Sequence, residues 1–448
     1  MNKNKLIFAI IWLLFIAIII FIVFSMNKSW WATKSSKNLT NFTIWMIWDN
    51  NESWKKIIEN FKKVNTKYEK TKIDIEVFKD YDDYNFALMA AIAAGKTPDI
   101  FVLNNNEKKS LFEAQALWID PKIINPNDFR KKYKWVFSDD LILSGWNKDK
   151  EVEFLKWIPV WYETLGIFYN RRYIQDSELK SISALNNIIA ALKEKHPSLI
   201  PIWIWNGSTV YNSADIMTQF FMLENGVSWI GDISWNNEKQ SLATYLLYWD
   251  NDGYNNYNSR YNELSKLWKT SLDLFSRWET FMVVGYPSMI NIIWEKWFSK
   301  NFLQVSPFPH YFSWDGKTLV NYDYFVINKN TKNKDLSFDF LRYLTTDIWA
   351  EDFLNNFKYY LPALLSLESD KLEEKISDKY NIILWDFFNS DYELSSFNKW
   401  VRSIYDKWIV KILDNSSNYE NEFNRLKSKV LCNAKKIDTL KNLSKTCE

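Results

Sequence analysis

Tryptophan occupies turn positions along this chain where a protein of its length ordinarily places glycine. The 448 residues include 25 tryptophans and 9 glycines, and the two together come close to the roughly 7% share that glycine usually has. Trp146 follows Gly145, and Trp314 lies just before Asp315 and Gly316. Tight turns of this composition use positive φ, which glycine adopts freely and a bulky indole does not. The pattern limits how the chain can turn unless some of these tryptophans are glycines.

We hypothesise that many of these tryptophans are encoded by UGA codons that the native host reads as glycine. Some bacteria use UGA in this way, and the abundance of Lys, Asn, Ile, Tyr and Phe is typical of an AT-rich genome, in which UGA is frequent. A genuinely tryptophan-rich protein is the alternative, and the intact mass of the protein from its native host separates the two. No tryptophan by itself is therefore taken as evidence for a binding site.

An uncharged apolar segment lies near the N-terminus, over residues 6–24. As a helix it is long enough to cross about 30 Å of hydrocarbon. Lys3 and Lys5 precede it, which favours a cytoplasmic N-terminus, and neither a small-residue cleavage site nor a lipid-accepting cysteine follows it. We expect a signal anchor and transmembrane helix over 1–25 and a linker over 26–41, with a cleaved signal peptide as the alternative. The protein would be a single-pass protein of the cell membrane, with most of the chain extracytoplasmic.

The charge balance argues against a nucleic-acid partner. The chain carries 56 Lys and Arg against 54 Asp and Glu, which gives a net charge of +2, whereas phosphate binding needs a strongly basic face. The two cysteines, Cys432 and Cys447, could form a disulfide in an oxidising compartment or remain two thiols on a C-terminal tail over 431–448. They are too few for a metal site, and we expect no metal and no cofactor.

The sequence lacks the common catalytic motifs. It has two histidines, no G-x-x-x-x-G-K-[ST] and no G-x-S-x-G, even when each Trp is read as Gly. His196 stands before Pro197 at a predicted helix end and is interpreted as a surface cap. We therefore expect no catalytic residues and no enzymatic activity. A glycoside hydrolase with two carboxylates stays open as an alternative, because nothing in a sequence fixes the distance between two acids.

Strand and helix patterns alternate along the chain. Apolar residues recur at helical spacing over 55–68 and 84–94, and short apolar or alternating runs surround them. The same rhythm resumes after Pro159, with a helix over 181–195. This order is typical of a doubly wound α/β fold. The strands predicted in the first part are 42–48, 73–78 and 99–103.

Four segments resemble motifs of the family 1 extracellular solute-binding proteins of ABC importers, the maltose-binding-protein type. They are AAIAAGKTPDIF at 90–101, KWIPVWYETLGIFYN at 156–170, ETFMVVGYP at 279–287, and the closing group FVINKN, FLRYLT and LPA at 325–330, 340–345 and 361–363. The third motif departs from the family pattern, which has Pro-Trp where this chain has Tyr286, Pro287 and Ser288.

The resemblance implies two doubly wound α/β lobes joined by a hinge, of the type II periplasmic-binding-protein kind. We assign 42–158 and 308–346 to lobe 1, and 159–307 and 347–430 to lobe 2. The implied function is a monomeric substrate-binding protein that captures a small solute, in view of the family a sugar or oligosaccharide, and delivers it to the transmembrane subunits of an ABC permease. An extracytoplasmic glycoside-active enzyme and a sensory or structural ectodomain on the same fold are the alternatives.

Ligands of such folds bind in a crevice beyond the carboxyl ends of the strands. The loops at these ends carry carboxylates and amides that can bind hydroxyl groups, and tyrosines that can stack on a sugar ring. Glu163 is the leading candidate, because it follows the first crossing between the lobes. The predicted ligand-binding residues are Asp49, Asn50, Glu52, Asn104, Asn105, Asn106, Tyr162, Glu163, Asn206, Ser208, Tyr211, Tyr286 and Tyr359.

Overall fold

The three-dimensional structure is a computed structural model. The residues that it describes are 41–47, 51–78, 81–105, 112, 114–147, 150–175, 179–203, 215–216, 218–219, 270–296, 302–310, 317–357, 360–364, 393–395, 420–425, 427–429 and 432. The predicted anchor and linker lie outside these residues. Among the helices that are described, none is both long and apolar enough to cross a membrane.

Strands and helices alternate as the sequence pattern predicts. The strands are β1 (Phe42–Met46), β2 (Ile73–Val77), β3 (Ile100–Asn104), β4 (Ala116–Leu117), β5 (Ile142–Asn147), β6 (Lys150–Leu155), β7 (Ile158–Thr164), β8 (Gly166–Asn170), β9 (Ile200–Trp203), β10 (Thr280–Gly285), β11 (Leu303–Pro307), β12 (Lys317–Asn328), β13 (Leu361–Pro362) and β14 (Glu393–Ser395). The helices are α1 (Asn51–Val64), α2 (Tyr81–Ala93), α3 (Pro126–Lys132), α4 (Trp135–Leu141), α5 (Ile182–Lys195), α6 (Ser271–Ser276), α7 (Met289–Glu295), α8 (Lys334–Tyr343) and α9 (Asp347–Asn356), with a 3₁₀ turn at Thr66–Tyr68.

The larger sheet has the order β13-β7-β12-β3-β1-β2, with β4 and β14 also paired to β12. β1 runs parallel to both β2 and β3, as expected for strands joined by helical crossovers. β12 runs antiparallel to β3 on one side and to β7 on the other. β3 and the middle of β12 are buried on both faces, which explains their nearly continuous apolar sequences.

The smaller sheet has the order β11-β8-β10-β9. β8 runs antiparallel to β10 and β11, and β10 runs parallel to β9. β7 and β8 follow each other in sequence but belong to different sheets, so the chain crosses between the lobes at Leu165. The backbone N–H of Phe308, which directly follows β11, donates to the carbonyl of Leu165 at 3.1 Å, so the chain that leaves the smaller sheet passes beside this crossing. We call this junction between the two sheets the hinge.

The lobe boundaries differ from those that we predicted. We placed the first crossing at residues 158–159, but the structure keeps β7 in the larger sheet, where its ladder with β12 continues to Thr164. We assigned residues 347–430 to lobe 2, but α9 packs on α1 of lobe 1 and β14 pairs with β12. Burial decides the position of α9, because the ring of Trp349 stacks on Trp54 at 5.5 Å.

The core of lobe 1 is aromatic and lies between α1, α9 and the larger sheet. Trp54 is fully buried and also meets the edge of Phe325 at 5.5 Å and the ring of Phe357 at 5.2 Å. Phe61, two turns later on α1, packs edge-on against Phe340. Apolar residues spaced by three or four positions along α1 therefore bury one face of the helix, as the sequence predicts.

Two local features bear on these predictions. The hairpin of β5 and β6 was not predicted, and Trp146, which the sequence pattern places in a turn, lies within β5 opposite Glu151. His196 ends α5 as its C-terminal cap, which confirms the interpretation of this residue.

Candidate functional site

The face of the larger sheet next to the hinge collects polar side chains from three strands. Along β7 and β12, Glu163 lies opposite Asn321, and Trp161 lies opposite Asp323. Asp323 also lies opposite Asn104 at the carboxyl end of β3. Since alternate residues of a strand share a face, these side chains lie on one side of the sheet. They form the candidate site, at the sheet edge where the sequence predicts the crevice.

Glu163 connects the two lobes across this site. Its Oε1 accepts a hydrogen bond of 2.7 Å from the backbone N–H of Ser288, in the loop that follows β10 of the smaller sheet. The side chain is 2% exposed. Burial raises the pKa of Glu163 to about 8; the bonds from Ser288 act in the opposite direction, and the charge of Asp323 adds to the rise. At neutral pH the carboxyl group is therefore mainly protonated, and it can donate a hydrogen bond as well as accept one.

Asp323 is fully buried and is held by Asn104. The Nδ2 of Asn104 donates to the Oδ1 of Asp323 at 2.5 Å. Asn105 has a structural role instead, because its side chain is bonded twice to the backbone of β12. Its Nδ2 donates to the carbonyl of Val320, and its Oδ1 accepts from the N–H of Tyr322. The structure describes two of the predicted asparagines. Asn104 lies in the candidate site, and Asn105 fixes the loop after β3.

Tyr286, another predicted ligand-binding residue, lies in the smaller lobe near the donor that bonds Glu163. It directly follows β10, and its hydroxyl group donates to the Oδ2 of Asp215 at 2.9 Å. The ring is 3% exposed, and the residue is two positions from Ser288, which bonds Glu163. The loop of residues 286–288 therefore supplies the backbone donor that bonds Glu163 of lobe 1, with the buried ring of Tyr286 two residues away in sequence.

The structure corrects the prediction for Tyr162. This residue lies opposite Tyr322 on the other face of β7, so it points away from Glu163. Its ring meets Phe137 of α4 at 5.8 Å, and the Nζ of Lys134 lies 5.9 Å from the ring centre. Tyr162 is a core residue of lobe 1, because its strand buries this face under α4.

Glu52 is exposed at the start of α1 and forms an ion pair of 2.7 Å with Lys55. The hydrogen bond from Lys55 lowers the pKa of Glu52. The structure therefore gives Glu52 a partner on its own helix and does not join it to Glu163. The remaining predicted ligand-binding residues lie outside the described part of the chain. They are Asp49, Asn50, Asn106, Asn206, Ser208, Tyr211 and Tyr359.

The structure describes only one of the two cysteines of the predicted disulfide. Cys432 is disulfide-bonded, whereas Cys447 lies outside the described part of the chain. The pair Cys432–Cys447 stays a prediction.

The sequence reasoning missed two residues of the site, Asp323 and Trp161, whereas Tyr360 directly follows the predicted Tyr359. Asp323 is an acid in the middle of an apolar strand, a pattern that could have indicated a buried functional carboxylate. Trp161 was set aside because each tryptophan could be a glycine, yet its ring lies 4.3 Å from that of Tyr360 on the same face as Glu163. Tyr360 is partly buried and precedes β13. These two rings form an apolar surface beside the polar groups of the site.

The chemistry of this site is hydrogen bonding to a polar, uncharged ligand beside aromatic rings. Its acids and amides can bind hydroxyl groups in both directions, because the protonated carboxyl of Glu163 can donate as well as accept, and an amide carries both a donor and an acceptor. Within the described ranges, no group of three or more His, Cys, Asp or Glu residues is placed to hold a metal ion. The site is therefore suited to neutral hydroxylated molecules.

Comparisons with known proteins agree with this geometry. Residues 56–379, more than half of the chain, match the model of the family described as bacterial extracellular solute-binding protein. No curated protein sequence matches the chain.

Solved structures share the fold at low sequence identity. The maltose-binding protein MalE from Listeria monocytogenes, in complex with maltose, is 15% identical with a TM-score of 0.63, over 91% of this chain and 99% of that one. The extracellular solute-binding protein from Staphylococcus aureus, in complex with maltose, is 15% identical with a TM-score of 0.62, over 90% and 99%. MalE from Xanthomonas citri is 14% identical with a TM-score of 0.62, over 90% and 100%. With a family match over most of its length and a two-lobe α/β fold, the chain belongs to the bacterial extracellular solute-binding protein family.

Proposed function

We propose that this protein captures a sugar or oligosaccharide between its two lobes and delivers it to an ABC permease. The observation that carries the proposal is the hydrogen bond from Ser288 to Glu163, which joins the lobes close to the hinge at Leu165. Opening about the hinge would separate these groups and leave both free to bind a hydroxylated ligand. The maltose complexes of the structural neighbours support a sugar as the ligand.

The test is a thermal-shift screen of the full-length protein in detergent. Maltose, maltotriose and xylotriose are compared with spermidine and a dipeptide. A ligand present at about 100 times its Kd stabilises the folded state by about 2.7 kcal/mol, so one of the sugars should raise the midpoint by several degrees. A shift with spermidine or the dipeptide, and none with any sugar, would assign the protein to another ligand class.

A glycoside-active enzyme is the second candidate, and one observation favours it. Glu163 and Asp323 are buried acids on neighbouring strands, and the pKa of Glu163 is raised as in a general acid. Binding remains the preferred function, because the family is one of binding proteins. Prolonged incubation with maltotriose, followed by chromatography of the products, separates the two. Glucose or maltose that forms with the wild type and not with Glu163→Gln would establish hydrolysis.

We also propose that residues 1–25 anchor the protein in the membrane. The full-length protein should stay in the membrane pellet after a high-salt wash and enter the supernatant only with detergent, because burial of an apolar helix does not depend on salt. A variant without residues 1–26 should be found in the soluble fraction. N-terminal sequencing that starts the mature protein near Ser25 would replace the anchor with a cleaved signal peptide.

A further inference from the structure

Trp278 has a backbone conformation that tryptophan rarely adopts. Its φ is 66°, in the left-handed region. Among the residues that the structure describes, Trp278 is the one non-glycine residue with a positive φ. A bulky side chain clashes with its own backbone in this region, whereas glycine has no β-carbon to clash. The conformation therefore needs a cause in the surrounding structure.

The cause is the turn that ends α6. The N–H of Trp278 donates to the carbonyl of Phe275 at 3.0 Å, and the N–H of Glu279 donates to the carbonyl of Leu274 at 2.9 Å. These two bonds define a Schellman motif, in which the first residue beyond the helix cap is left-handed. The turn leads directly into β10, so the path of the chain fixes the conformation of residue 278.

The same motif occurs once more in the described chain, at the end of α2, and there the residue is glycine. Gly95 has a φ of 64°, its N–H donates to the carbonyl of Ile92 at 3.1 Å, and the N–H of Lys96 donates to the carbonyl of Ala91 at 2.8 Å. The two turns agree in hydrogen-bond pattern and in dihedral angle. At the left-handed position itself, one turn has glycine and the other has tryptophan.

The Trp278 side chain is partly buried and packs against neighbouring side chains. Its ring meets the edge of Phe302 at 5.7 Å, and the guanidinium of Arg172 lies 5.0 Å from the ring centre. Arg172 lies closer to Phe302, at 3.6 Å, and keeps that contact without an indole at position 278. None of these contacts requires a left-handed backbone at position 278, which is set by the turn and not by the ring.

Trp54 shows what a tryptophan required by the structure looks like. It lies inside the right-handed helix α1, is fully buried, and contacts three aromatic rings. Backbone conformation and packing therefore distinguish Trp54 from Trp278. Position 54 requires a large ring, whereas position 278 requires the absence of a β-carbon.

We infer that position 278 is a glycine in the protein as its native host makes it, encoded by a UGA codon that this host translates as glycine. The excess of tryptophan over glycine in the whole chain is what such a code would produce. The inference is independent of the ligand and of the proposed transport function.

The direct test is mass spectrometry of the protein from its native host. Trypsin cleaves after Arg277 and Lys296, and the peptide between them begins at position 278. Fragmentation of this peptide reads its first residue. Glycine there, with a hydrogen in place of the indolylmethyl group, supports the inference, and tryptophan there overturns it.

A second test uses the full chain made with the standard code. Trp278→Gly and Trp278→Ala both remove the indole, so they differ only in the β-carbon at the left-handed residue. We expect the glycine variant to have a folding equilibrium constant roughly fivefold or more above that of the alanine variant. Gly95→Ala is the matched control and should lower the constant by a similar factor, while Trp54→Gly should unfold the protein. Equal stability of the two variants at position 278, with a clear loss in Gly95→Ala, would overturn the assignment of this position to glycine.

Discussion

The stability of the protein is expected to fall as the pH rises from about 5 to about 8, and Glu163 is expected to cause most of the fall. Its pKa rises from the ordinary value of 4.5 to about 8 in the folded protein. Between these values the folded state holds a proton that the unfolded chain has released. The free energy of unfolding therefore decreases by up to about 1.4 kcal/mol for each pH unit. The stability that protonated Glu163 contributes is fully present below pH 4.5 and is lost once the pH has passed about 8.

Glu163→Gln is the matched variant for this prediction. Its amide is close in shape to the protonated carboxyl, keeps an acceptor for the N–H of Ser288 and does not titrate. Urea unfolding of both proteins across this pH range gives two curves whose difference isolates Glu163. The raised pKa of Glu76, which is due to burial, is common to both proteins and cancels. Parallel curves would contradict the prediction and show that Glu163 is ionised in the folded protein.

The larger sheet could be predicted because its sequence pattern is local. Strands β1, β2 and β3 each follow from a short apolar or alternating run, and the helices between them follow from apolar residues at helical spacing. Gly95 marks the end of α2 by the same chemistry that the structure shows. The order of these elements, together with the matched motifs, was enough to indicate a two-lobe α/β fold.

The local pattern could not predict which face of a strand each side chain occupies, nor where the chain crosses between the sheets. Tyr162 and Glu163 are neighbours in sequence, and only the register with β12 decides which of them faces the crevice. The crossing at Leu165 depends on which sheet β7 joins, which is a non-local pairing. For Asp323 the apolar strand could indicate burial, but not its partner, because Asn104 is 219 residues away in sequence.

Sugar affinity is expected to fall roughly tenfold or more in Glu163→Ala. The carboxyl group can form two hydrogen bonds with a ligand hydroxyl, each worth about 0.5–1.5 kcal/mol, and its removal also leaves the N–H of Ser288 without its buried partner. A loss of about 1.4 kcal/mol corresponds to a tenfold change in Kd. Calorimetric titration of the full-length protein with maltose and maltotriose measures the effect.

Glu163→Gln separates the role of the charge from that of the hydrogen bonds. From its sequence position alone, Glu163 is expected to bind the ligand as a carboxylate, and the amide would then recover only part of the affinity. Because burial raises the pKa of Glu163 to about 8, the group is mainly neutral at pH 7, and the amide should restore most of the affinity there. Above pH 8 the wild type should bind more weakly than it does at pH 7, since ionisation favours hydration of Glu163 in the open form, while the Gln variant should show no such change. Unchanged affinity in Glu163→Ala would remove Glu163 from the ligand site and leave its bond to Ser288 as a contact that only joins the lobes.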